Sequence, residues 1–255
     1  MGQAVGSPGD IGNRVARLEE AEKSGHGFYR VSKEPTMKGI TISEKCIHVY
    51  PWMKFGYCLV KNLSAFQLTN ALREKQKETE TYIRSHSESL LERAKAISRF
   101  YKAQGEKNRS HIESLIKSIS NGKSIKSVNF IVDSVMIAEL RNALLLGVHD
   151  LDRIDGDMVL DAAREGEHFV GIGQRTITTR QHEIALRDDS GIWASYTQGP
   201  DARTVVDAAS KNVIILGFFT PETSREVMIG GIRDAVDNLM KAGTGEAEEI
   251  RVIPS

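Results

Sequence analysis

Among the seven histidines of this 255-residue chain, His149 stands where chemistry could be done. It is followed by Asp150 in Val148-His149-Asp150-Leu-Asp152, where a long apolar run turns abruptly acidic. An imidazole beside a carboxylate can orient a water or carry a proton; a lone histidine at the end of a core element also serves as a plain structural group. Upstream, Asn129 and Asp133 enter the apolar run and need hydrogen-bond partners if buried. They either cap backbone groups or line a pocket. Downstream, Thr197-Gln198-Gly199-Pro200-Asp201 leads into Arg203-Thr204, which is a simple turn or a holder for an anionic or carbonyl group. Absent patterns narrow the chemistry further. There is no Walker phosphate loop, no Gly-x-Ser-x-Gly elbow and no His-Glu-x-x-His, and Gly171-Ile-Gly173 is too short for a dinucleotide fingerprint. Cys46 and His48 lie two apart with no second Cys/His pair near them, so the expectation is no metal and no cofactor.

The element that must position these groups starts at Val128. About five turns of nearly uninterrupted apolar sequence read as one central helix buried on every face. At roughly 19 residues, with Asp133, Glu139 and Arg141 inside, it is a poor membrane span. After the acidic turn from Asp150 to Asp157, short strands are expected at 157–163, 168–172, 183–187 and 192–196. Asp188-Asp-Ser-Gly191 makes the hairpin between the last two. The apolar run 212–219 reads as a central strand, 222–241 as an amphipathic helix and 244–255 as a polar tail.

Toward the N-terminus, residues 1–39 read as a flexible glycine-rich extension with one helical run, Asn13 to Lys23. Residues 40–49 and 55–60 read as a strand pair across Pro51-Trp52, which places Cys46 and His48 on a strand. Residues 64–121 read as helical, with caps at Ser64, at Ser85-His-Ser-Glu88 and at Ser110-His-Ile-Glu113, and a stop at Asn121-Gly122. The organisation is then one domain, 40–243, divided at 126/127. Helices first and hairpins later argue for α+β with a mainly antiparallel sheet.

Composition is that of an ordinary globular protein, 40% apolar and 27% charged. With no secretory signal and only two cysteines, the expected setting is cytoplasmic and reducing. The formal net charge of zero hides a split. Residues 61–126 hold 14 Lys+Arg against 7 Asp+Glu, whereas 127–255 hold 12 against 21. Either a polyanion meets the first part, or these charges solvate helix faces. Lys95, Arg99 and Lys102 share one helical face, and Arg73 and Lys77 share another.

Several spaced signatures carry a resemblance. Ser127-Val-Asn129 with Ile131-Val-Asp133, Val148-His-Asp150-Leu-Asp152 with Gly156, and Glu165-Gly166-Glu167 with Phe169 resemble the editing domain of the phenylalanyl-tRNA synthetase beta subunit, the B3/4 domain. Ile42-Ser-Glu-Lys with Phe55-Gly, Arg109-Ser110 with Glu113, and Arg203-Thr204 before Asn212-Val-Ile-Ile also fit. From about Ile40 the chain looks like the free-standing form of that domain. The resemblance implies an α+β unit around a twisted, barrel-like antiparallel sheet with packed helices. It also implies a hydrolase that removes wrong amino acids from tRNA, or a non-catalytic tRNA-binding module of the same fold. On that reading Asn129, Asp133, His149, Asp150, Gln198, Arg203 and Thr204 line the pocket for the aminoacylated 3′ end of tRNA. Arg73, Lys77, Lys95, Arg99 and Lys102 would hold its backbone. A pocket for a free amino acid or small metabolite is a third reading. The chain departs from the family where a histidine is implied three residues before Asp150, because Gly147 stands there. The acid that senses a tyrosine hydroxyl would fall within 214–217, where there is none, so that specificity does not carry over.

Overall fold

The computed structural model describes residues 39–65 and 69–254; the expected extension and its helical run lie outside them, save residue 39. In chain order the elements begin with β1 (Ile40–Ile42), α1 (Glu44–Val49), β2 (Phe55–Ala65), α2 (Asn70–Ser85) and α3 (Ser87–Ala103). Next come α4 (His111–Ser120), α5 (Phe130–Asn142), β3 (Leu145–Asp150), β4 (Met158–Ala162), β5 (His168–Gly171) and β6 (Arg175–Thr178). The chain continues through β7 (Ile184–Asp188), β8 (Gly191–Ser195), β9 (Gly199–Pro200) and β10 (Val213–Phe218). It ends with α6 (Arg225–Ala242), β11 (Gly243–Ala247) and β12 (Arg251–Ile253).

Two sheets result. One has the order β11-β2-β10-β3 with β12 also on β2, the other β1-β4-β7-β8-β9, and β5-β6 form a separate hairpin. Among the described residues only β1 and β4 run parallel; the other pairs are antiparallel. Neither path returns to its start, so among the described residues the sheets are open rather than a closed barrel. The fold is α+β.

The sequence of β10, Val-Ile-Ile-Leu-Gly-Phe, is buried throughout because both of its faces are covered. Successive strand residues point to opposite sides. Val213 and Ile215 join Ile131, Val135, Ile232 and Leu239 under α5 and α6. Ile214, Leu216 and Phe218 join Leu160, Leu186 and Trp193 of the other sheet and Ile112 and Ile116 of α4. Each such fully buried aliphatic side chain contributes about 2 kcal/mol of transfer free energy. Gly217 lies opposite Gly56 across the β10–β2 pair. A Cβ on Gly217 would stand 2.4 Å from Met228 Sδ, so α6 packs directly on backbone there.

Four local expectations are corrected. The long apolar run is not one helix. α5 ends at Asn142, Ala143 takes the left-handed conformation with φ 50°, and β3 follows. A run apolar on all faces suits a buried helix and a buried strand equally, so periodicity cannot place that break. Second, β1 is only three residues long and pairs with β4, while Ser43 caps a helix by accepting from Cys46 N (3.0 Å). Cys46 and His48 are therefore helical. Third, Ser64 belongs to β2, and Thr69 caps α2. Fourth, α2 runs through Ser85, and α3 starts after His86 without a side-chain cap. By contrast, Ser110 Oγ accepts from Glu113 N (3.3 Å) and α4 stops at Asn121-Gly122, as its capping box implies. The polar stretch 244–255 supplies most of β11 and all of β12, both on β2.

Candidate active site

Alternation along β3 puts Leu145, Gly147 and His149 on the face turned toward the second sheet. There they border a partly open cavity of about 280 Å³, bounded by Phe218 of β10, the segment Ala194–Pro200, Tyr101 of α3 and His111 of α4. Larger depressions occur among the described residues. One of about 650 Å³ lies around Lys77, Tyr82 and Arg141, and one of about 630 Å³ around Leu115, Lys123 and Met136. Neither is lined by a buried titratable group. The smaller cavity has three, Tyr101, Tyr196 and His149, and only the imidazole has an ordinary pKa near neutrality.

His149 is 3% exposed. Its Nδ1 lies 2.8 Å from Thr204 Oγ1, and its ring stands edge-on to Trp193 at 4.8 Å between centroids. Its Nε2 faces the cavity, 3.9 Å from where a Cβ on Gly147 would be. Burial pushes its pKa down to about 3, so the ring is neutral near pH 7. Thr204 is itself fully buried. Its Oγ1 donates to Asp201 Oδ1 (2.5 Å), its N–H donates to the same oxygen (2.8 Å), and its carbonyl accepts from Asp150 N (2.9 Å). Arg203 grips Asp188 through Nη1 (2.8 Å) and Nη2 (3.1 Å), and reaches Asp201 Oδ2 through Nε (3.3 Å).

The opposite wall is folded around one carboxylate. Glu183, 1% exposed, accepts from Ser195 Oγ, from Thr197 Oγ1 (3.2 Å), from Gln198 Nε2 (3.0 and 3.1 Å) and from Arg180 N (3.0 Å). Ser195 Oγ in turn accepts from the amides of Thr197 (3.2 Å) and Gln198 (3.1 Å). Gly199, with φ +84°, then turns the chain into β9. At the third wall His111 Nε2 approaches Glu139 Oε1 (3.3 Å), which also accepts from Leu146 N (3.0 Å). Partial removal from water disfavours a charged His111 ring, half of whose side chain is exposed, but the Glu139 carboxylate more than offsets this and its pKa is raised. Tyr101 Oη donates to Tyr196 O (2.8 Å). Among the described residues no three His, Cys, Asp or Glu side chains gather as a metal site.

The family model described as the B3/4 domain matches residues 81–232, more than half of the chain. The chain belongs to the B3/4 domain family. Among curated relatives, a phenylalanine–tRNA ligase beta subunit of Mycoplasma genitalium is 30% identical over 98 residues, 38% of this chain and 12% of that protein. One of Cutibacterium acnes is 28% identical over 100 residues, 39% of this chain and 12% of that protein. The match thus spans about an eighth of each relative's length. A crystal structure of an N-terminal fragment of the phenylalanyl-tRNA synthetase beta subunit from Pyrococcus horikoshii is also similar. It shares 15% identity at a TM-score of 0.48, over 86% of this chain and 56% of the fragment.

Within this B3/4 domain, His149 and Gln198 line one cavity, Thr204 touches it through His149, and Arg203 stands one residue further back, on Asp201. Asn129, Asp133 and Asp150 do not line it. Asn129 caps α5 by accepting from Val132 N (2.9 Å), and Asp133 accepts from Val128 N (2.8 Å) and Ser127 Oγ. Asp150 holds Asp152 N (3.0 Å), Ser210 Oγ (2.6 Å) and Arg153 Nε (3.2 Å). Arg73, Lys77, Lys95, Arg99 and Lys102 are all exposed. Lys95 pairs with Glu92 (2.5 Å), Arg99 with Glu222 (3.6 Å), and Lys77 shares its depression with Glu74 and Glu78. Sequence reasoning missed Glu183, Glu139, His111, Tyr101 and Asp201. Glu183 left one signal, a charged residue directly before the apolar strand β7.

No described helix of this B3/4 domain is long and apolar enough to cross a membrane.

Proposed function

We propose that this B3/4 domain hydrolyses the ester between a wrongly attached amino acid and the terminal ribose of tRNA. The observation that carries the reading is His149, a neutral imidazole with one ring nitrogen turned into a partly open cavity. At about 280 Å³ the cavity lies below the usual range for drug-sized ligands and suits a single amino acid at the end of a longer chain. Relatives whose names place them in tRNA ligases support tRNA as the carrier. In the reaction, a water oxygen attacks the ester carbonyl carbon and the bond to the ribose oxygen breaks. The proton passes to that leaving oxygen, giving free amino acid and uncharged tRNA. His149 Nε2 orients the water, and the cavity walls hold the carbonyl within reach of it. An activated ester needs little acid–base help, so positioning supplies most of the rate.

The exposed cations of α2 and α3 are proposed to take the tRNA backbone. A second reading, a tRNA-binding module without turnover, is favoured by one observation: a glycine at 147, where the resemblance implies a histidine. The experiment is a panel of tRNAs charged with each amino acid, correct and incorrect, incubated with the full chain against a protein-free control. Selective loss of one amino acid establishes the hydrolase and names its specificity. Salt-dependent tRNA binding without any loss replaces it with the binding module.

A further inference from the structure

Thr204 Oγ1 carries a single proton and has three neighbours. Two of them only accept: Asp201 Oδ1 at 2.5 Å and the Trp193 carbonyl oxygen at 3.4 Å. The third is His149 Nδ1 at 2.8 Å. A carboxylate oxygen at that distance accepts the hydroxyl's hydrogen bond. The hydroxyl then has only lone pairs left for the imidazole, so Nδ1 must be the donor. A neutral imidazole has one N–H. With that proton on Nδ1, the cavity-facing Nε2 is a bare acceptor.

We infer that Thr204 is the positioning residue of this site: by donating its hydroxyl hydrogen bond to Asp201 it locks His149 as the Nδ1–H tautomer and presents a lone pair to the cavity. The inference rests on the hydrolase reading for its consequence, but not for its geometry. Asp201 is held for the task, accepting Thr204 N on the same oxygen and Arg203 Nε on the other. The Thr204 carbonyl, bound to Asp150 N, fixes the residue beside His149 on β3. Apart from His111, whose Nε2 meets Glu139, the other polar side chains described at the cavity have their protons committed. Tyr101 donates to Tyr196 O, and Ser195, Thr197 and the Gln198 amide donate to Glu183. The cavity therefore receives donors, such as a water or an ammonium group, and His149 acts toward them as an acceptor.

The test is nitrogen-15 NMR of the histidine side chains in the full chain, with His149→Asn assigning the ring's signals by their loss. The wild-type ring is expected to carry its proton on Nδ1. Thr204→Val shifts it wholly or partly to Nε2, and Thr204→Ser restores the wild-type pattern. On the charged tRNA that the panel identifies, Thr204→Val lowers kcat about 10²-fold, the lower end of what one acid–base group supplies. KM changes little, and Thr204→Ser recovers most of the rate. A wild-type proton on Nε2 overturns the inference, as does a folded Thr204→Val protein with an unchanged tautomer. If that variant does not fold, the wild-type spectrum decides alone. An Nδ1–H ring without turnover on any charged tRNA leaves the tautomer standing and removes the hydrolase reading instead.

Discussion

Gly147 and His149 stand side by side on one face of β3, and a Cβ on Gly147 would come 3.1 Å from the Phe218 ring and 3.9 Å from His149 Nε2. The glycine thus keeps open the space in which His149 works. Gly147 itself needs no unusual backbone conformation. Gly147→Ala is therefore expected to fold, at a cost of about 1 kcal/mol for the small overpacking against Phe218. Phe218 also lines the cavity, so a shift of a few tenths of an ångström in its ring alters the space a ligand would use. Urea midpoints and the charged-tRNA panel check this together: a small stability change is expected with a selective loss of turnover on the bulkiest amino acid accepted. Equal loss on all amino acids would mean that 147 does not border the side-chain pocket.

Much of the frame around this pair was readable from sequence, for reasons particular to each element. The run 212–219 read as a central strand because it is apolar on both faces, and β10 is covered on both. Ser110 and Glu113 read as a cap because the hydroxyl and the amide it serves are only three residues apart. The break at Asn142-Ala143 was not readable, since both elements it separates are buried on all sides. For Asn129 and Asp133 the alternatives of cap or pocket resolve to backbone capping at α5, because the site lies on the other face of the central sheet. His149 was visible as a residue, but its partner Thr204 is 55 positions away and is brought to it only by tertiary packing. Glu183 left only its place before β7 as a signal for the same reason, since the loop that gives it meaning closes from residues 195–198.

Glu183→Gln tests that loop. The carboxylate is surrounded by donors from Arg180, Ser195, Thr197 and Gln198, and an amide would turn its own NH₂ toward some of them. Hydrogen bonds to a charged group contribute about 1.5–3 kcal/mol each, so a loss of about 3 kcal/mol overall is expected. Amide hydrogen exchange should speed up at residues 195–199 before the rest of the sheet opens. Unchanged protection there would show that the loop is held by other contacts.

The pH dependence of stability follows from two histidines with opposite signs. His149 is held at about 3 by burial, below its unfolded value of about 6.5. Below pH 6.5 the unfolded chain takes up this proton and the folded chain does not. Stability therefore falls as the pH drops, by up to about 1.4 kcal/mol per pH unit from this residue. His111 acts the other way. Its pKa, raised by Glu139 against the effect of burial, adds stability below its unfolded pKa that is lost as the pH rises through the folded value. Urea unfolding at pH 7, 6 and 5 should therefore show a shallower acid slope in His149→Asn than in the wild type. Matching slopes would place the His149 pKa near its ordinary value.

The basic helices give the last prediction, which concerns tRNA affinity rather than turnover. Each phosphate contact releases condensed counterions, so losing one cation that makes such a contact lowers the salt slope of log K by about 1. Arg73 and Lys102 are exposed and, among the described residues, have no acidic side chain within salt-bridge distance, whereas Lys95 already sits on Glu92 and Arg99 faces Glu222. A cation held by a neighbouring acid must give up that partner to meet a phosphate, and the acid then repels the backbone it leaves. Arg73→Ala and Lys102→Ala are accordingly expected to reduce the salt slope by about one each. Lys95→Ala and Arg99→Ala should change it by less. Filter binding of tRNA across a range of salt concentrations measures all four, and the Glu92→Gln change should raise affinity by freeing Lys95. If the four alanine variants behave alike, or if none alters the slope, the tRNA backbone does not run along these helices.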